Sequence, residues 1–137
     1  MVKRASPPSP KSRDFICAFL VGGLICTLGQ ALYDVFVMLD LSSKESRATV
    51  SVSLIFIAAV LTGIGVFDRI AKFAGAGTLV PITGFANAIV SPAIEYKNEG
   101  WVLGLGAKMF TIAGPVIVYG TVASVIYGII YWITTLF

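Results

Sequence analysis

The chain alternates long uncharged runs with short polar breaks. Phe15 to Leu39 carries a single charge, Asp34, near its end, and Ala48–Phe67, Phe73–Ile94 and Met109–Phe137 carry none. A helix needs roughly 20 apolar residues to cross a hydrocarbon core of about 30 Å, and each run is long enough. The pattern predicts an all-α integral membrane protein with about four hydrophobic helical segments. Residues 14–137 are expected to form one helical transmembrane domain. Before it lies a basic Pro/Ser-rich tail, Met1–Arg13, with Pro7, Pro8 and Pro10 among its serines. That composition predicts disorder.

The third run, FAGAGTLVPITGFANAIVSPAI, differs from the others. It holds Gly75, Gly77, Pro81, Gly84 and Pro92, with polar Thr78, Thr83, Asn87 and Ser91. A lipid-facing anchor does not need this chemistry. Broken backbone inside a membrane is tolerated only where protein or a water-filled cavity satisfies the freed N–H and C=O groups. The segment is therefore expected to be discontinuous or re-entrant, shielded by its neighbours. The alternative is a kinked spanning helix packed through its glycines.

Composition sharpens the class. The 137 residues are 57% hydrophobic and only 12% charged, with a mean hydropathy of +0.91. Soluble domains carry about 25% charged residues, so a soluble fold is excluded. The net charge of +3 sits beside the hydrophobic runs, as topology determinants do, and not in a stripe suited to nucleic acid. The basic tail favours the cytoplasmic side, the neutral loop Asp40–Arg47 lies outside, and Arg69 and Lys72 lie inside again. Whether the third run then crosses or re-enters stays open, and with it the side of the C-terminus. A chain this small is expected to oligomerise or to work within a larger complex.

Catalysis and metal chemistry find no residues. There is no His, so Ser–His and Cys–His pairs are impossible, and no cofactor or metal site is expected. The two cysteines, Cys17 and Cys26, lie on opposite faces of the first helix, roughly 13 Å apart along it, too far for a disulfide. Ala18, Gly22, Cys26 and Gly29 make a stripe of small residues that lets another helix approach closely. Gly100 and Gly104 form a GxxxG pair, a weaker packing signal. Gly114–Pro115 is expected to kink the last run. Gln30 and Asp34 follow the stripe at helical spacing, either at the interface or turned toward a polar path. Ser42 or Ser43 is a candidate cap for the second helix.

The remaining chemistry is ligand passage. A helix restarting inside the membrane offers N–H donors and a positive dipole end, which suit an anion. The restart is expected at Pro81–Gly84, with Thr83 as cap and Asn87 one turn later; Thr78 and Ser91 extend the polar path. Arg69 and Lys72 would attract an anion at the inner mouth, or serve only as topology charges.

Several stretches resemble a known family. FLVGGLIC at Phe19–Cys26 with Gly29–Gln30, LTGIGVFDRI at Leu61–Ile70 and FAGAGTLVPITGFANA at Phe73–Ala88 are similar to the stage V sporulation protein AC/AE membrane family of spore-forming bacteria. EYKNEG at Glu95–Gly100, then VLGLGAKMF and AGPVIVYG, look more like its AC than its shorter AE members. The resemblance runs from Phe15 to about Gly128. It implies a component of the inner-spore-membrane complex that moves dipicolinic acid, with calcium, into the developing spore and out during germination. It also implies a channel activity gated by membrane tension, with AE-type and AD-type subunits as partners; the cytoplasmic side that the basic tail favours would then be the spore core. Dipicolinate is a dianion, which suits a segment rich in donors and free of acids. A structural scaffold whose partners form the pore is the alternative.

Overall fold

A computed structural model describes residues 12–136, and all regular structure among them is helical. Helix α1 (Ser12–Met38) and helix α2 (Ser43–Gly63) form a tightly turned pair. Ser12 and Arg13, the last two residues assigned to the tail, are helical; the rest of that tail, with its predicted disorder, lies outside the described residues.

The turn follows from its residues. Asp40 takes φ 61°, a left-handed conformation that Asp adopts more readily than most side chains. Its N–H donates to the Val37 carbonyl at 3.1 Å, and that of Leu41 to Phe36 at 3.3 Å. These are the paired bonds of a Schellman motif, which satisfy carbonyls orphaned at the end of α1. Ser42 then caps α2, as the sequence suggests. Its Oγ accepts from the Glu45 N–H at 3.4 Å, and its own N–H donates to Glu45 Oε2 at 3.0 Å. The C-terminus of α2 repeats the Schellman arrangement. Gly65, at φ 72°, donates to Thr62 and Val66 donates to Leu61, both at 3.0 Å.

The short helix α3 (Phe67–Ala74) follows at once. It buries Phe67 and Ala74 and exposes Asp68, Arg69 and Lys72. Phe67 joins Ala58 and Ala86 in a small core, with Leu61 and Ala71 against it. The chain then breaks twice, giving α4 (Ala76–Leu79) and α5 (Ile82–Glu95).

Among the described residues, three helices are long and apolar enough to cross a membrane: α1, α2 and the continuous stretch Trp101–Leu136. The third hydrophobic run gives no such helix. Its longest piece, α5, has 14 residues, or about 21 Å at a rise of ~1.5 Å.

Contacts group the chain into two units, through Asn87 and from Ala88 onward. In the second unit, Gly100 sits at φ 104° ahead of a π-helical turn, Trp101–Gly106, which leads into α6 (Ala107–Leu136). A Cβ on Gly104 would lie 2.7 Å from the Tyr96 carbonyl oxygen and 2.8 Å from Glu99 Cβ. Gly104 thus packs on its own turn, while Gly100 is not helical, and the two do not share the helix face that a GxxxG pair needs. The Lys108 ammonium lies 4.4 Å from the centre of the Tyr96 ring, a cation–π contact. Helix α6 runs through Gly114–Pro115 without a break.

Replacing Ser42 with Ala should lower stability by about 1 kcal/mol through loss of the cap. Thermal unfolding of the detergent-solubilised protein would read this as a lower Tm, with Ser43→Ala as the near-neutral control.

Candidate functional site

The broken segment is the most unusual part of the first unit, and every residue at its breaks has a physical reason to be there. Gly75 ends α3 at φ 51°, ψ −122°, a region open essentially to Gly. Its N–H donates to the Ala71 carbonyl at 2.8 Å. Its carbonyl accepts from the Thr78 N–H at 3.3 Å and from the Thr78 hydroxyl at 3.1 Å. Val80 donates to Ala76 at 3.2 Å and Gly84 to Pro81 at 2.9 Å. Pro81 has no N–H to satisfy. The chain therefore closes these hydrogen bonds on itself, as a break away from water requires.

Helix α4 is seated on α1 through the small-residue stripe. A Cβ on Gly77 would lie 2.8 Å from Ala18 Cα, and one on Gly22 would lie 3.3 Å from the Gly77 carbonyl oxygen. Cys26 lines the crevice beside this contact, with Val80 and Pro81. Gly29, the last member of the stripe, faces α2 instead: its Cβ would meet Leu54 Cδ1 at 3.5 Å. The stripe thus serves two neighbours. Gly84 is close-packed as well, since its Cβ would lie 2.7 Å from Leu79 Cα.

The polar residues of the run are arranged differently from the expected path. Thr83 is the second residue of α5, not its cap, and its buried hydroxyl has no hydrogen-bond partner. Thr78 is buried with its hydroxyl turned back to Gly75. Asn87 is tied to α2: the Thr62 hydroxyl lies 2.9 Å from Asn87 Oδ1 and 2.7 Å from the Ala58 carbonyl oxygen. A hydroxyl has one proton, so the two acceptors share it or the Asn87 amide turns its NH2 toward Thr62. Ser91 is half-buried and lies in the second unit. Arg69 and Lys72 are exposed on α3, and Lys72 borders a crevice with Asp14 and Gly75. Gln30 donates to Asp34 at 2.9 Å. Gln30 borders a polar crevice with Tyr33, Arg47 and Ser51 at the turn end of the α1–α2 pair, not beside the broken segment.

Thr62 escaped the sequence reading, and Gly77 was named there only as one of the glycines of the broken run. Thr62 meets Asn87 across 25 positions, and no local pattern signals such a bond. Gly77 stands in FAGAG, where nothing says which glycine will meet another helix.

A cavity of about 300 Å³ lies between α1, α2 and the broken segment, lined by Leu24, Leu28, Leu54, Ile57, Leu61 and Ile70, with Thr78 and Thr83. Neither threonine presents a polar atom to it. An empty enclosed void of that size would cost about 7 kcal/mol at ~24 cal/mol per Å³, comparable with the whole stability of a domain. The cavity opens at its rim, where Leu24 is 62% and Leu28 53% exposed. Among the described residues, no group of three or more His, Cys, Asp or Glu could hold a metal ion.

The family comparison follows the same stretch of chain. The SpoVAC/SpoVAEB sporulation membrane protein family matches residues 14–130, from α1 through most of α6. The chain belongs to this family. It is also 49% identical over 130 residues to the stage V sporulation protein AC of Bacillus subtilis (strain 168), covering 94% of this chain and 87% of that protein. No solved structure matches it.

Two predictions follow from the packing. Gly77→Ala should destabilise the protein by about 1–3 kcal/mol, because Ala18 cannot give way without moving α1. Gly23→Ala, where nothing lies within 4 Å, should be neutral. Thr83→Val removes a buried hydroxyl without a partner and should raise stability by about 1 kcal/mol. Unfolding of the three variants in one detergent checks both.

Proposed function

We propose that this chain is a membrane subunit of the spore complex that moves dipicolinic acid, with calcium, across the inner spore membrane, and that the broken segment borders the solute path. The observation that supports this most is the double break at Gly75 and Pro81 within an uncharged run. A chain that only anchors a complex has no use for a helix interrupted twice. Family membership supplies the spore setting. In this reading the structure is a closed state. The Thr78 hydroxyl is held by Gly75, and Asn87 is latched to Thr62 on α2. Opening would turn Thr83 and Asn87 toward water, and Arg69 and Lys72 would draw the dianion to the inner mouth. Membrane tension would favour such a state if it occupied more area. AE-type and AD-type subunits are the proposed partners, and the basic tail supports an N-terminus on the spore-core side.

A second reading has an observation of its own. The seat of Gly77 on Ala18 and Gly22 is the kind of contact that holds a scaffold together. Such a scaffold would assemble the complex while other chains form the pore.

Cysteine accessibility across Thr78–Ser91 separates the two. Cys17 and Cys26 are first replaced, and a water-soluble thiol reagent is added from each side of sealed vesicles containing the assembled complex. Labelling along one face, blocked by dipicolinate and lost flux in Asn87→Leu, is expected for a path. Uniform protection with unchanged flux would transfer the chain to the scaffold role.

A further inference from the structure

The cavity between α1, α2 and the broken segment is a wholly apolar feature of the first unit that the proposed solute path leaves unexplained. Its wall identifies what can fill it. Leucine and isoleucine side chains from three directions line it. The Thr78 hydroxyl is spent on Gly75, and the Thr83 oxygen is inaccessible. Water needs about two to four polar partners to occupy a cavity, and this wall offers none. A carboxylate dianion is excluded more strongly, since a charge without a partner is costly to bury. The volume of about 300 Å³ is roughly twice that of an apolar cavity that stays dry and accepts benzene. The rim opens at Leu24, Leu28 and Ile57, all exposed residues of α1 and α2, two of the helices long enough to span a membrane.

We infer that this cavity is a lipid site, occupied by the acyl chain of a phospholipid that enters between α1 and α2 from the surrounding bilayer. The chain would lie against Leu28 and Ile57 at the rim and reach Ile70 and Thr78 at the inner wall. It would thereby press on the segment that carries both breaks. The inference rests on the protein being in a membrane, not on the solute it moves.

The test is photocrosslinking in liposomes of phosphatidylethanolamine and phosphatidylglycerol doped with a phospholipid carrying a diazirine near the end of one acyl chain. Adducts are mapped by mass spectrometry and compared with those on exposed positions such as Phe19 and Val52. Adducts at Leu61 and Ile70, which are less exposed than Phe19 and Val52, are expected to match or exceed those reference positions. Leu28→Trp and Ile57→Trp fill the rim from opposite helices, so one misfolded variant leaves the other informative. Either should reduce the Leu61 and Ile70 adducts at least fivefold while leaving Phe19 and Val52 unchanged. Adducts confined to exposed positions, or insensitive to both fillings, would overturn the inference. So would protein-to-protein crosslinks at Leu61 from a diazirine amino acid placed there, because a second copy or another subunit would then fill the cavity.

Discussion

The fold of the first unit depends on bringing a broken backbone against an intact helix while the chain closes the hydrogen bonds at its breaks on itself. Both demands meet at Gly77. The absence of a side chain there lets α4 rest on the backbone of Ala18 and Gly22. A four-residue helix has almost no internal stability, because nucleation fixes several residues for each bond gained. It persists here because α1 supports it from one side, while Gly75 and Pro81 close the chain at its ends. The seat and the breaks therefore require each other. Without the breaks, the run would continue as an ordinary helix and could not present Gly77 at that angle.

Around that contact, polar atoms are drawn inward, Thr78 to a backbone carbonyl and Asn87 to Thr62, and many apolar side chains face outward. Leu24, Leu28, Val52, Phe56 and most of α6 are exposed, which in water would be a large aggregation hazard. In a bilayer it is the ordinary state, since lipid gives apolar groups no reason to hide. Among the described residues, only a handful of alanines and Phe67 are buried among the hydrophobics. Close backbone packing thus holds the helices together more than a hydrophobic core does.

Much of the fold was legible in the sequence because hydropathy and turn chemistry are local. The first, second and last helices follow from uncharged runs, and a cap for α2 at Ser42 or Ser43 from single residues. The restart at Pro81 was also readable, since proline lacks the N–H that a helix interior needs, although the helices carrying Pro92 and Pro115 continue through them. What was not readable was pairing at a distance. The expected path of Thr78, Thr83 and Asn87 treated hydroxyls as facing a common space, yet one bonds its own turn, one has no partner and Asn87 finds Thr62. The GxxxG of Gly100 and Gly104 failed for a related reason. Spacing alone cannot tell a helix face from a turn, and Gly100 supplies the left-handed residue of a turn. The small-residue stripe was legible as a stripe, but not as a surface shared between two neighbours.

The tight turn between α1 and α2 bears on how the protein is made. With a Schellman end and a capping box back to back, almost no chain separates the two helices. They suit insertion as a hairpin, in one event. Ala18 and Gly22 leave the ribosome well before Gly77, so the seat exists in the membrane before its occupant is synthesised. The following run is too interrupted to act as a strong stop-transfer signal, and it meets a finished surface on which to fold. Biosynthesis from the N-terminus thus delivers the parts in the order in which each can stabilise the next.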